Sequence, residues 1–191
     1  MSGMNPDVFL QRCEGIVTGM GFKRVLQGVD INALRDATGM ILTGATAPLK
    51  AALETNFFGV QSAASTTAGG TLSFAVPEDY DQDQDYMSVR FLCNSAGTTD
   101  APTIDATLYQ KVAGTAISSD LNPTISAAAS KTSATTGAGW IEIVAKGLGL
   151  KAGAAVTWLF TISAHATNAL NIYAIEVVYK SDLVFYNRDS R

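Results

Sequence analysis

Very little in this chain can do chemistry. Among 191 residues there is one histidine, His165, and two cysteines, Cys13 and Cys93, and only 16% of the residues are charged. One imidazole and two thiols far apart in sequence make neither an ordinary zinc site nor a disulfide framework. The cysteines read as free thiols, in keeping with a reducing cytoplasm. The basic residues are scattered and the net charge is −4, so no run of cations forms a nucleic-acid groove. The longest apolar stretch, AAVTWLFTISA (154–164), is too short to span a bilayer and carries hydroxyls. The first residues, MSGMNPDVFLQRCEG, show no basic region leading into an apolar one, so no secretory leader is expected. Walker A and G-x-S-x-G sequences are both missing.

What is present is alternation. From about residue 70 the apolar residues recur at every second position: Leu72, Phe74 and Val76; Met87, Val89, Phe91 and Cys93; Ile104, Ala106 and Leu108; Ile141, Ile143 and Ala145; Val156, Trp158, Phe160 and Ile162. Successive side chains of a strand point to opposite faces, so each set predicts a strand with one buried face. In LNIYAIEVVY (170–179) both faces are largely apolar, which predicts a central strand. Gly97, Asp100, Pro102, Gly114 and the glycines of GLGLKAGA (147–154) supply turns between these runs. Many short strands divided by turn residues predict a mainly β fold, an antiparallel β-sandwich of jelly-roll-like type. With 47% hydrophobic residues the chain is long enough to bury a real core.

Two segments read as loops because they are small and polar, SAASTTAGG (62–70) and TISAAASKTSATTGAG (124–139). Residues 1–45 hold seven glycines, with brief apolar clusters between them. They are read as an extended N-terminal arm beside a sandwich domain at 46–191, with extra strands of the same sandwich as the alternative. Within them DINALRDATG (30–39) fits a short helix, capped by Asp30 and ended by Gly39, and VDINA fits a strand.

Three motifs suggest chemistry. PEDYDQDQDY (77–86) places acids at alternate positions, as a calcium loop does. An EF-hand frame from Asp81 puts Tyr86 at the sixth position, where glycine is needed, and Leu92 at the twelfth, where glutamate is needed. A hydrophilic turn is therefore expected, and no metal. GLGLKA (147–152) matches the dinucleotide fingerprint, but a strand pattern follows it where a helix is required, so a glycine turn and no cofactor are expected. His165 stands at a strand end on a face of Thr and Ser, where a solvent-facing role outweighs that of a hydrolase base. Trp140 and Tyr109 lie on the faces away from their strands' apolar residues, which makes them interface candidates.

The stretches LSFAVPEDYDQDQDYMSVRF, GTTDAPTIDATLYQ, GLGLKAGAAVTWLFTISAH and LNIYAIEVVYKSDL together resemble the jelly-roll-like β-sandwich decoration, or cement, proteins of tailed-bacteriophage capsids. The resemblance spans about residues 55–183 and carries no catalytic signature. It implies a non-enzymatic virion protein, made in the host cytoplasm, that stabilises the outer surface of the capsid. Its implied partners are the major capsid protein and copies of itself, a trimer by the resemblance, with no membrane or nucleic acid. The alternative is a carbohydrate- or receptor-binding module of a virion fibre, using exposed aromatics and nearby acids.

Overall fold

A computed structural model of the chain describes residues 23–29, 33–36, 49–54, 57–97, 100, 102–126 and 138–181. The alternating runs all become strands: β5 (Thr67–Ala75), β6 (Tyr86–Ser95), β7 (Thr103–Lys111), β9 (Gly139–Lys146), β10 (Ala155–Ser163) and β11 (Leu170–Lys180). Shorter pieces add β1 (Lys23–Val29), β2 (Arg35–Asp36), β3 (Leu49–Glu54), β4 (Phe57–Ser62) and β8 (Thr124–Ser126). There is no α-helix among the described residues.

From β4 onward the chain crosses between two layers. The larger sheet runs β3-β4-β11-β6-β9-β8, with β1 paired to the later part of β11, and the smaller runs β2-β5-β10-β7. All pairs are antiparallel. The central strands β4, β11, β6 and β9 face β5, β10 and β7, and that alternation makes an antiparallel β-sandwich of jelly-roll-like type. β11 is flanked on both sides, as its apolar character required.

Every inward position named by the alternation in β6, β7 and β9 is buried, as are Val156, Trp158, Phe160 and Ile162 of β10. Phe91 of β6 meets Phe160 of β10 edge-on, with ring centroids 5.0 Å apart, and Trp158 stacks on Phe160 at 6.1 Å. The Phe91–Phe160 contact joins the two layers at mid-strand, and Trp158 extends it along β10. β11 contains a bulge between Ile172 and Ala174, so Tyr173 is an extra residue without a counterpart on β6. Before the bulge Leu170 and Ile172 face the core, and after it Ile175, Val177 and Tyr179 do.

The acidic stretch is more than a hydrophilic turn. Asp85, at φ 39°, is buried. Its carboxylate accepts the Tyr80 hydroxyl at 2.8 Å, the Gly149 N–H at 2.6 Å and the Leu150 N–H at 3.2 Å. Its main-chain carbonyl accepts the Gly147 N–H at 2.9 Å. Burial, and then the bond to Asp85, push the Tyr80 hydroxyl far above the ordinary tyrosine range. Asp81 Oδ1 accepts the N–H groups of Asp83 and Gln84, each at 3.0 Å. Asp79 accepts the hydroxyls of Tyr179 at 3.0 Å and Ser181 at 2.6 Å. The carboxylates thus diverge to separate tasks, and the acidic loop is clipped to the GLGLKA turn. Gly147 and Gly149 have φ of 67° and 75°, which explains the glycines in that turn. β10 follows it, not a helix.

Four other expectations change at the described residues. No helix forms at the described part of 30–39: Leu34 is buried against Gly70, and Arg35–Asp36 pair with β5. The described pieces of 1–45, β1 and β2, are strands of the two sheets, the alternative considered for that segment. The loop expected at 62–70 shrinks to Ala63–Thr66, because Thr67–Gly70 pair with β10. Gly70 is small because Leu34 lies above it, where a Cβ would stand 3.2 Å from the leucine side chain. At 124–139, Thr124–Ser126 pair with β9, while 127–137 lie outside the described residues.

Replacing Asp85 with alanine strands three donors, two of them main-chain N–H groups at a glycine turn. Asp85→Ala should lower unfolding stability by about 3 kcal/mol, and Tyr80→Phe by only about 1 kcal/mol, in urea equilibrium denaturation.

Candidate binding face

Because β6, β9 and β11 give their alternate residues to the core, the remaining residues form one outward face of the larger sheet. Strand pairing arranges them in rows that run across the strands. In one row Asn171 of β11 stands opposite Gln61 of β4 on one side and Asn94 of β6 on the other. Gln61 Nε2 donates to Asn171 Oδ1 at 2.8 Å, and Asn171 Nδ2 donates to Asn94 Oδ1 at 3.1 Å. The amides so linked end in a donor, Asn94 Nδ2, at one side and an acceptor, Gln61 Oε1, at the other.

The next row is apolar. Leu92 of β6 lies opposite Trp140 of β9 and, at the bulge, Ala174 of β11, with Tyr173 beside it. Tyr173 and Trp140 are both half-buried. They stand two strand spacings apart, about 10 Å. The Phe57 ring extends the line at 5.5 Å from the Tyr173 ring.

A third row holds charge. Arg90 of β6 faces Glu176 of β11 and Glu142 of β9. Arg90 Nε donates to Glu176 Oε2 at 2.6 Å, and its Nη2 reaches the same oxygen. The guanidinium also lies over Trp140, 4.6 Å from the ring centroid, which holds the indole in one orientation. Glu142 accepts the hydroxyls of Tyr86 at 2.9 Å and Ser88 at 2.6 Å. The face is therefore a strip of aromatic and aliphatic surface between an amide row and an ion-pair row.

Trp140 and Tyr109, the two candidates read from the sequence, do face outward, but on opposite sides of the molecule. Tyr109 is on the outer face of the smaller sheet, where it borders a shallow depression of about 280 Å³ with Ile117, Ala155 and Thr157. That face carries mainly Thr, Ser, Ala and Gly, with hydroxyl pairs such as Ser73–Thr157 at 2.9 Å and Thr67–Ser163 at 3.1 Å. The amide row and Arg90 were not singled out in the sequence. Pairing register, which reveals them as neighbours, is absent from a linear pattern.

His165 is not simply solvent-facing. Its Nδ1 lies 2.9 Å from Oδ1 of the buried Asp100. The same carboxylate accepts the Gly97 N–H at 2.8 Å, the Asn168 amide at 3.1 Å and the Ser95 hydroxyl. A Ser–His–Asp relay needs the imidazole between hydroxyl and carboxylate. Here the carboxylate is in the middle, so Ser95 is not placed to give its proton to His165. The cluster instead ties the β6–β7 loop to the β10–β11 loop. No group of three or more His, Cys, Asp or Glu side chains converges among the described residues.

No family model matches the sequence, and no curated protein matches it. Similar solved structures include a xylan-binding module of the CBM15 type, with a TM-score of 0.43 and 12% identity over 85% of this chain and 99% of that one. A second is the CBM61 module in complex with β-1,4-galactotriose, with a TM-score of 0.33 and 13% identity over 86% of this chain and 94% of that one. A third is the CBM22-1–GH10 portion of Clostridium thermocellum xylanase 10B complexed with xylohexaose, with a TM-score of 0.38 and 13% identity over 86% of this chain but 29% of that one. Likeness this distant does not identify a ligand, and the two-sheet architecture rests on the strand pairing itself.

Burial alone would raise the Asp100 pKa, but bonds from Ser95, Gly97 and Asn168 and the nearby His165 outweigh it and hold the carboxyl below its ordinary value. A carboxyl depressed by folding stabilises the fold above its unfolded pKa of about 3.9, and that contribution is lost as pH falls from there through the lower folded value. Asp100→Asn should therefore flatten the thermal midpoint's decline below about pH 4, seen by comparing melts of wild type and variant across that range.

Proposed function

We propose that this chain is a non-catalytic β-sandwich module that binds carbohydrate on the outer face of its larger sheet. The observation that carries the reading is the row Tyr173–Leu92–Trp140 set between the Gln61–Asn171–Asn94 amides and the Arg90–Glu176 pair. A sugar ring offers C–H surface above and below and hydroxyls around its edge. Flat aromatic surface suits the former, and amides and carboxylates in flanking rows suit the latter. The likeness to carbohydrate-binding modules is in keeping with this, without bearing on the ligand.

A second reading, decoration of a phage capsid, draws on the family resemblance in the sequence and on exposed hydrophobics, one of which, Phe57, borders the aromatic line. Among the described residues the exposed large hydrophobics are Phe57 at 47%, Phe58 at 74% and Ile117 at 67%. Phe57 and Phe58 begin β4, next to the outermost strand of the larger sheet. Such residues suit burial at a seam between subunits, with the major capsid protein or with copies of this chain as a homo-oligomer on the virion. A module on a virion fibre would combine both readings.

Trp140→Ala should weaken glycan retention at least tenfold in affinity electrophoresis through polysaccharide gels, with the thermal midpoint little changed because Trp140 lies outside the core. Equal retention of wild type and variant would remove the basis of the carbohydrate reading. For the capsid reading, Phe58→Ser should abolish co-sedimentation with assembled capsids while leaving the monomer folded. Truncation of the N-terminal segment is the poorer test, since it would remove Leu34 from the core.

A further inference from the structure

We propose that the glycan taken by this face is electrically neutral and lies across the strands, along the line from Tyr173 to Trp140. The inference rests on the carbohydrate reading above and adds the ligand's charge and direction.

The charge follows from how the ionic groups of the face are engaged. Arg90 gives its Nε and Nη2 to Glu176 and spreads over Trp140. Glu142 holds the Tyr86 and Ser88 hydroxyls. Lys180 donates to Gln84 and lies 5.8 Å from the Tyr86 centroid. Lys146 lies six residues along β9 from Trp140, about 20 Å away. To find a cation among the described side chains near the aromatic line, an anionic sugar would have to break the Arg90–Glu176 pair, and would then sit against Glu176 and Glu142. Stranding one member of a part-buried pair is costly. The amides on the other flank, Asn94 and Gln61, are neutral and offer one donor and one acceptor, which match hydroxyls.

The direction follows from register. Trp140, Leu92 and Tyr173 lie in one row perpendicular to the strands, and the amide row runs parallel to it two residues away, about 7 Å. A chain laid across the strands and continued past Tyr173 toward Phe57 of β4 passes both ends of the amide row. One laid along a strand reaches only one end.

The experiment uses the full chain in affinity gels and isothermal titration. It compares neutral polysaccharides (xylan, β-glucan, galactan, mannan) with polygalacturonate, alginate and heparin, at low and high salt. The expected result is retention by at least one neutral polymer and by none of the polyanions, with affinity changing less than about twofold with salt, since paired charges are not recruited. Asn94→Ala and Gln61→Ala should each weaken binding by about tenfold. A loss confined to one of them would overturn the direction. Binding of a polyanion, weakened by salt and lost in Trp140→Ala, would overturn neutrality while leaving the site intact. Retention by neither class would overturn the carbohydrate reading itself.

Discussion

The structure depends on the contact between Phe91 and Phe160, where the two sheets meet edge to face at mid-strand. Each ring belongs to a strand that gives every second residue to the interior, and each is buried. Once these two strands face each other, the hydrogen-bonded neighbours of each must present their own apolar residues at the same level. Otherwise voids would open in an interior packed as densely as a crystal. Ile141 and Ile175 beside Phe91, and Ala106 beside Phe160, meet that demand. What faces outward is fixed by the same parity. The amides, Arg90 and Trp140 are on the surface because their neighbours in sequence are not.

Trp158 shows that this packing is imperfect. Its indole N–H is buried and has no acceptor among the described residues. An unsatisfied donor of this kind costs about 1–3 kcal/mol. The large ring, stacked on Phe160 and sealed from solvent, offsets that cost through the apolar area it fills. The loops show the opposite pattern, with carboxylates that have several partners each. Asp85 and Asp100 each gather main-chain N–H groups from one turn and a side chain from another, closing the two ends of the sandwich without apolar residues.

Much of this was legible in the sequence, because a half-buried strand advertises itself at every second residue. The runs at 72–76, 87–93, 104–108, 141–145 and 156–162 have no other simple reading. The rest was hidden for particular physical reasons. Thr67–Gly70 looked like a loop because two glycines and small hydroxyls bury little of their own, yet Gly70 is small to make room for Leu34. The acids of 79–85 looked alike in sequence but diverge in space, and only the fold shows Asp85 reaching Gly149 and Leu150. Trp140 could be named as outward-facing, while the amides beside it could not, since Gln61, Asn94 and Asn171 come together only through the pairing of three strands distant in the chain. The appearance of β11 as apolar on both faces has a structural cause as well. Its inward residues change from even-numbered to odd-numbered positions at Tyr173.

That change ties the composition of the outer face to the length of a single strand. Asn171 is odd-numbered and Glu176 even-numbered, yet both point away from the core. In a strand without the additional residue, one of the two would be driven inside and the amides and the ion pair could never share a surface. Homologues that drift freely in side-chain identity here should nevertheless keep the residue count between Leu170 and Lys180. A one-residue deletion in this stretch would rewrite half the surface while sparing every contact upstream of it.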